Sequence, residues 1–358
     1  MTAAAPDKGG EILALTALRG IAAWWVVLFH LRLMLVPYLP PAAIRFLAHG
    51  NLAVDFFFLL SGFVMYLNYA GRIRGWPSVG DFLFSRFARV YPLHLLMLLG
   101  FLGYFGAAAL FGRGGFEESP GYFAASLLLV QNWGFLGRLG WNVPAWSISA
   151  EAFAYLLFPA LLLGLAPAKR PAWFLVAAAA VLGVSVHLYF AAFGFDFPNE
   201  VPRTGLFRCV VQFTMGMMLC ELYRRLAGRP ELKRTLILAA AVLAAAYVSF
   251  GAPVLPLAWA ALILAYALGR GGLFEAPPLV WLGRVSYATY LCHYLALTLF
   301  RYAFVEEGKP VAPALLGLYL LGVLAASAGL YHGFERPAQR RLLAWRRARR
   351  ARLEPRPA

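Results

Sequence analysis

Charge is scarce in this chain. Only 13% of its 358 residues are Asp, Glu, Lys or Arg, about half the roughly 25% of an ordinary soluble domain. So few charges cannot cover a globule of this size with a wetted surface. Cysteine is nearly missing, at three residues, which excludes a secreted disulfide scaffold. Acid is scarcer than base: 16 Asp and Glu stand against 32 Lys and Arg. No Walker A sequence, no GxSxG elbow, no CxxC and no i, i+4 pairing of His with His or Cys occurs. A P-loop nucleotide site, an α/β-hydrolase nucleophile and a metal site therefore lack support. What the chain has is apolar side chain, 62% of all residues. That excludes disorder and points to an all-α, polytopic integral membrane bundle.

The formal net charge of +16 would suggest nucleic acid in a soluble chain. No basic segment is interleaved with exposed aromatics, so no nucleic-acid partner is expected. Cytoplasmic loops collect Lys and Arg, and anionic lipid headgroups favour them. Membrane lipids are the expected partner.

A helix needs about 20 apolar residues to cross the hydrocarbon core. About ten such runs are present, near 12–36, 52–70, 90–111, 145–166, 172–193, 205–223, 235–250, 253–269, 284–304 and 311–333. The run 122–131 is too brief to span and reads as re-entrant or interfacial. With the N-terminus inside, the inner segments hold Lys8, Arg72, Arg74, Arg86, Arg89, Lys169, Arg170, Arg224, Arg225, Arg229, Lys233, Arg234, Arg270 and Arg284. The tail adds a run from Arg336 to Arg356. The outer segments hold single basic residues, such as Arg113, and much of the acid: Glu117, Glu118, Asp196, Glu200, Glu306 and Glu307. The bias places both termini in the cytoplasm. The first run is too long for a signal peptide and carries Arg19 and His30. One transmembrane domain over 1–340 is expected, followed by a basic cytoplasmic tail, 341–358, resting on the inner leaflet.

Ionisable groups inside a membrane usually mark function. Arg19 and His30 lie eleven residues apart in the first run, which is three turns plus about 20°, so both point the same way. Asp55 opens the second run beside three phenylalanines and needs a partner or a proton. Glu151 follows Trp146 and Ser147 at the start of the fourth. His30, Asp55 and Glu151 fall at similar depth. A carboxylate on one imidazole nitrogen would orient the ring and leave the other as a base. The alternative for Asp55 is a helix cap. Arg86 and Arg89, at i, i+3, share a helix face and suit phosphate oxygens or simple lipid anchoring. Ser61-Gly62 reads as a helix contact or a point of substrate approach. His293 falls mid-span, structural or functional.

Several segments together resemble the acyltransferase type 3 family of membrane O-acyltransferases, which includes O-antigen acetylases. They are LTALRGIAAWWVVLFH at 15–30, VDFFFLLSGFV at 54–64, SRFARVYP at 85–92, NVPAWSISAEAF at 142–153, LGRVSYATYLCHY at 282–294 and FERP at 334–337. They run in the family's order over most of the chain. Ala53 and Ala152 depart from residues usual in the family. The resemblance implies ten main helices and transfer of an acyl group, commonly acetyl from acetyl-coenzyme A, to a hydroxyl of an extracytoplasmic carbohydrate at a bacterial inner membrane. It implies His30 as catalytic base with Arg19 its companion, and Arg86 and Arg89 at coenzyme A phosphates. It matches Trp146, Ser147 and Glu151 to a tryptophan-serine-glutamate motif. Ser61, Tyr91 and His293 belong to matching segments. No fused soluble domain follows, which leaves room for a periplasmic partner protein. A carrier or exporter without acyl chemistry is the competing reading.

Overall fold

The computed structural model describes residues 11–111, 119–195, 200–250, 254–269, 272–306 and 308–353. Lys8, Arg113, Glu117, Glu118, Asp196, Arg270, Glu307 and Arg356, which entered the loop reading above, lie outside the described residues. Among those described, every regular element is helical. The helices are α1 (Leu13–Leu35), α2 (Pro41–Ala48), α3 (Ala53–Tyr69), α4 (Trp76–Leu110), α5 (Pro120–Leu127), α6 (Trp146–Leu165), α7 (Ala172–Phe193), α8 (Val201–Arg225), α9 (Leu232–Phe250), α10 (Leu255–Leu268), α11 (Pro277–Phe304), α12 (Pro313–Leu330) and α13 (Arg336–Leu353).

Local chemistry explains many of the boundaries. Proline occupies the first turn of α2, α5, α8, α10, α11 and α12, where its missing N–H leaves no bond unmade. Ser119 caps α5 by accepting from the Tyr122 amide, as an N-cap side chain should. Gly194, at φ +65°, ends α7 in the left-handed region, which costs glycine little.

The ten apolar runs correspond to α1, α3, α4 and α6 to α12. Among the described residues, eight helical stretches are long and apolar enough to cross a membrane, so the chain is a multi-pass membrane protein. Two expected spans depart from that standard. α10 has 14 residues, about 21 Å, too short to cross alone. α11 is long enough but carries Arg284, Ser286, Thr289 and His293, and buries the last three against its neighbours. The segment 122–131 holds only the eight-residue α5 followed by turns, so it does not span.

Two glycine crossings set the interior. A Cβ on Gly62 of α3 would lie 1.9 Å from the Phe213 carbonyl oxygen of α8, and one on Gly216 would lie 2.0 Å from Leu59 O. A Cβ on Gly283 of α11 would lie 1.8 Å from Thr16 O of α1, and one on Gly20 would lie 2.6 Å from Gly283 N. Backbones this close need small residues. The Ser61-Gly62 dipeptide is thus a helix contact through its glycine.

A one-turn π segment, Tyr331–Glu335, joins α12 to α13. The described part of the tail expected on the inner leaflet docks on protein. Asp81 of α4 accepts from Arg346 (3.3 Å) and Arg350, and Trp345 packs on Phe84. Before α1, burial works to raise the Glu11 carboxyl, but bonds from Arg284 and Thr16 outweigh it and hold the group below the usual carboxylate range.

Candidate active site

The α1–α11 glycine crossing brings two backbones together and points Arg19 at α11. Its Nη2 donates to Gly283 O at 2.8 Å, and its Nε donates to Ser286 Oγ at 3.1 Å and Gly283 O at 3.2 Å. About three turns along the same face, His30 meets His293 of α11, Nδ1 to Nε2 at 3.2 Å. The eleven-residue spacing therefore places both side chains on α11, though on different partners.

A cavity of about 900 Å³, its open mouth included, lies between α1, α3, α4, α6 and α11. Three guanidiniums line it: Arg19, Arg86 and Arg89. Ser61, Ser147 and Glu151 line it as well. Glu151 accepts from Tyr155 Oη at 2.6 Å and from Ser61 Oγ. Ser61 thus reaches across from α3 to α6 instead of bonding back along its own helix. Ser147 Oγ is 2.8 Å from Tyr290 Oη, which donates to Pro144 O at 3.0 Å.

His30 is not among the cavity-lining residues. From the Tyr290 wall, the rings of Tyr290, His293 and His30 follow one another at 6.0 and 5.1 Å between centroids. The expected shared depth of His30, Asp55 and Glu151 does not make one cluster. Asp55 takes Arg208 Nη2 at 2.6 Å, Arg208 Nε at 3.2 Å and Gln212 Nε2 at 2.5 Å. A carboxylate this deeply buried must find charge and donors, and α8 supplies both. Glu151 is committed to Ser61 and Tyr155. Neither carboxylate is bonded to His30, so the proposed carboxylate orientation of its ring is corrected. The helix-cap alternative for Asp55 is corrected too, since its bonds cross to α8.

The expected arginine pair is present, with different duties. Arg86 donates to Tyr69 Oη at 3.2 Å and faces the cavity. Arg89 is ion-paired with Glu335 in the π segment, with its guanidinium also 5.1 Å from the Tyr287 ring. Trp146 packs edge-on against Phe58 and lies beside Arg208. Tyr91 stacks on Phe87 at 4.7 Å and does not line the cavity.

Sequence reasoning missed Arg208, Gln212 and Tyr155. Arg208 and Gln212 stand at i, i+4 inside a run read as apolar, a spacing that shares one helix face. The same spacing joins Glu151 to Tyr155. A buried acid asks for a partner on another helix, and Arg208 was one of the intramembrane cations, with Arg32 and Arg301, left unassigned. The partnership of Glu335 with Arg89 had no local signal.

The chain matches a family model over most of its length and a curated relative over nearly all of it. A family model described as "Acyltransferase domain" matches residues 12–332. "Acyltransferase MdmB" of Streptomyces mycarofaciens is 29% identical, over 96% of this chain and 95% of its own. "Protein 2 in picA locus" of Rhizobium radiobacter is 36% identical, over 29% of this chain and half of its own. No solved structure shows a significant match. The chain belongs to the acyltransferase domain family and is a membrane acyltransferase.

Proposed function

We propose that this enzyme moves an acyl group, acetyl in the first instance, from cytoplasmic acyl-coenzyme A to a hydroxyl of an extracytoplasmic carbohydrate or glycoconjugate. Its setting would be a bacterial inner membrane with both termini in the cytoplasm. The observation that carries the reading is the cavity walled by Arg19, Arg86 and Arg89. Three guanidiniums share this wall with one carboxylate, Glu151, and Arg89 also faces Glu335; the positive charge left over suits an anion, which a phosphate of coenzyme A supplies. Arg86 and Arg89 stand at the end of the bundle where α13 and Arg72 and Arg74 gather basic residues, the end that positive-inside bias turns to the cytoplasm.

His30 serves as general base in this reading. Its ring takes the acceptor's hydroxyl proton while the oxygen attacks the thioester carbonyl, and the coenzyme A thiol leaves. Such a base contributes roughly 10²–10⁴-fold. Glu151, held by Ser61 and Tyr155, shapes the donor side of the cavity, and Arg19 ties that side to α11. Asp55 holds α3 to α8 and does not touch the reacting groups.

Purified full-length protein in nanodiscs with radiolabelled acetyl-coenzyme A tests the reading. Thiol release coupled to label in a saccharide is the expected result. Saccharide crossing the membrane of sealed proteoliposomes that hold the same protein, with the thioester intact, would identify a carrier instead.

A further inference from the structure

We infer that His293 is a positioning residue that fixes the tautomer of His30 and steadies the imidazolium formed when His30 takes a proton. The inference rests on the reading of His30 as base.

Two carbonyl groups decide where the protons sit. His293 Nδ1 lies 3.1 Å from Thr289 O. A carbonyl only accepts, so Nδ1 carries the hydrogen and the neutral ring is left with a lone pair at Nε2. That nitrogen is 3.2 Å from His30 Nδ1. His30 Nδ1 is also 3.0 Å from Val26 O, again an acceptor only. His30 Nδ1 therefore bears the hydrogen and shares it between Val26 O and His293 Nε2. The free lone pair of His30 is then at Nε2, ready to accept a proton.

A neutral acceptor suits this place. A carboxylate orienting a membrane-embedded ring would need its own cation, as Asp55 needs Arg208. An imidazole costs far less to bury, and its lone pair still favours a proton on Nδ1 of its partner. When His30 becomes cationic at Nε2, its Nδ1–H faces two acceptors and no proton need leave it. The surroundings hold His293 in place. It is fully buried, its own carbonyl accepts from Tyr319 Oη at 3.1 Å, and the Tyr294 ring lies 5.3 Å from that of His30. The nearby cation Arg32 is turned to Phe29, donating to its carbonyl at 2.5 Å.

The test compares His293→Ala, His293→Gln and His293→Asn in full-length protein in nanodiscs. Coenzyme A thiol release from acetyl-coenzyme A is followed with a saccharide panel and with water as acceptors. His293→Ala should lower kcat about 10²-fold, the scale of a misplaced catalytic group, with the KM for acetyl-coenzyme A unchanged. Gln can accept from His30 and donate to Thr289 O, and it should restore much of kcat. The shorter Asn should not. Where the alanine variant fails to fold, the Gln–Asn contrast decides alone. Wild-type kcat in His293→Ala or His293→Asn, with His30→Ala inactive, overturns the dyad and spares the base. Equal loss in Gln and Asn, or KM rising in step with the fall in kcat, also overturns it. Full activity in His30→Ala removes the base reading itself.

Discussion

Arg208 of α8 grips both carboxylate oxygens of Asp55 on α3, and each side chain is only 1% exposed. This pair lies about two turns along from the close contacts of Gly62 and Gly216 on the same two helices. Close backbone approach and a buried ion pair thus lock one interface at two levels.

Breaking that lock should unfold the core rather than tune chemistry. Arg208→Ala or Asp55→Ala leaves one charge buried without its partner, a loss of about 3–5 kcal/mol. The double variant should lose less than the sum, because each single change already removes the interaction. Detergent melting curves of the three proteins check this; strict additivity would show that the pair does not couple.

The crossings themselves predict a sharp positional contrast. Gly62→Ala places a methyl group 1.9 Å from Phe213 O, so α3 and α8 must part. Gly103→Ala, on α4 with nothing within 4 Å, should be tolerated. The yield of monodisperse protein from each variant measures the difference, and equal yields would count against the tight crossing.

His30→Ala should lose activity by roughly 10²–10⁴-fold while keeping its melting temperature. Its ring bonds Val26 O and His293 and meets Phe29 and Tyr294 edge-on, contacts that a partly exposed ring can lose without unfolding the bundle. Near-normal acyl transfer by the well-folded variant would remove His30 from catalysis.

Arg86 and Arg89 should separate when mutated singly. Arg86→Ala should raise the KM for acyl-coenzyme A with little loss of Tm. Arg89→Ala should raise KM and also lower Tm, because it strands Glu335, which is 2% exposed. Adding Glu335→Gln to Arg89→Ala should recover Tm without recovering KM. Identical behaviour of the two single variants would dissolve the distinction.

Much of the candidate site was legible in linear order. Arg19 and His30 share a face because helix geometry fixes their spacing, and both contact α11. The run boundaries follow from the length an apolar helix needs and from proline in first turns. α10 and α11 show the limit of hydropathy. A helix buried among helices can be short or polar, since neighbours rather than lipid meet its side chains.

Composition and periodicity determined that this is a helical membrane protein, the ordered segments that resemble one family pointed to acyl transfer, and the sequence named many of the polar residues inside, though not Arg208, Gln212 or Tyr155. Only the tertiary structure decided their partners: Asp55 with Arg208, Arg89 with Glu335, Glu151 with Ser61, and His30 with His293. Depth along one helix can be counted from the chain, but rotation and contact between helices are set by close crossings such as Gly20 on Gly283. Those crossings join residues more than 150 positions apart, where local spacing carries no information.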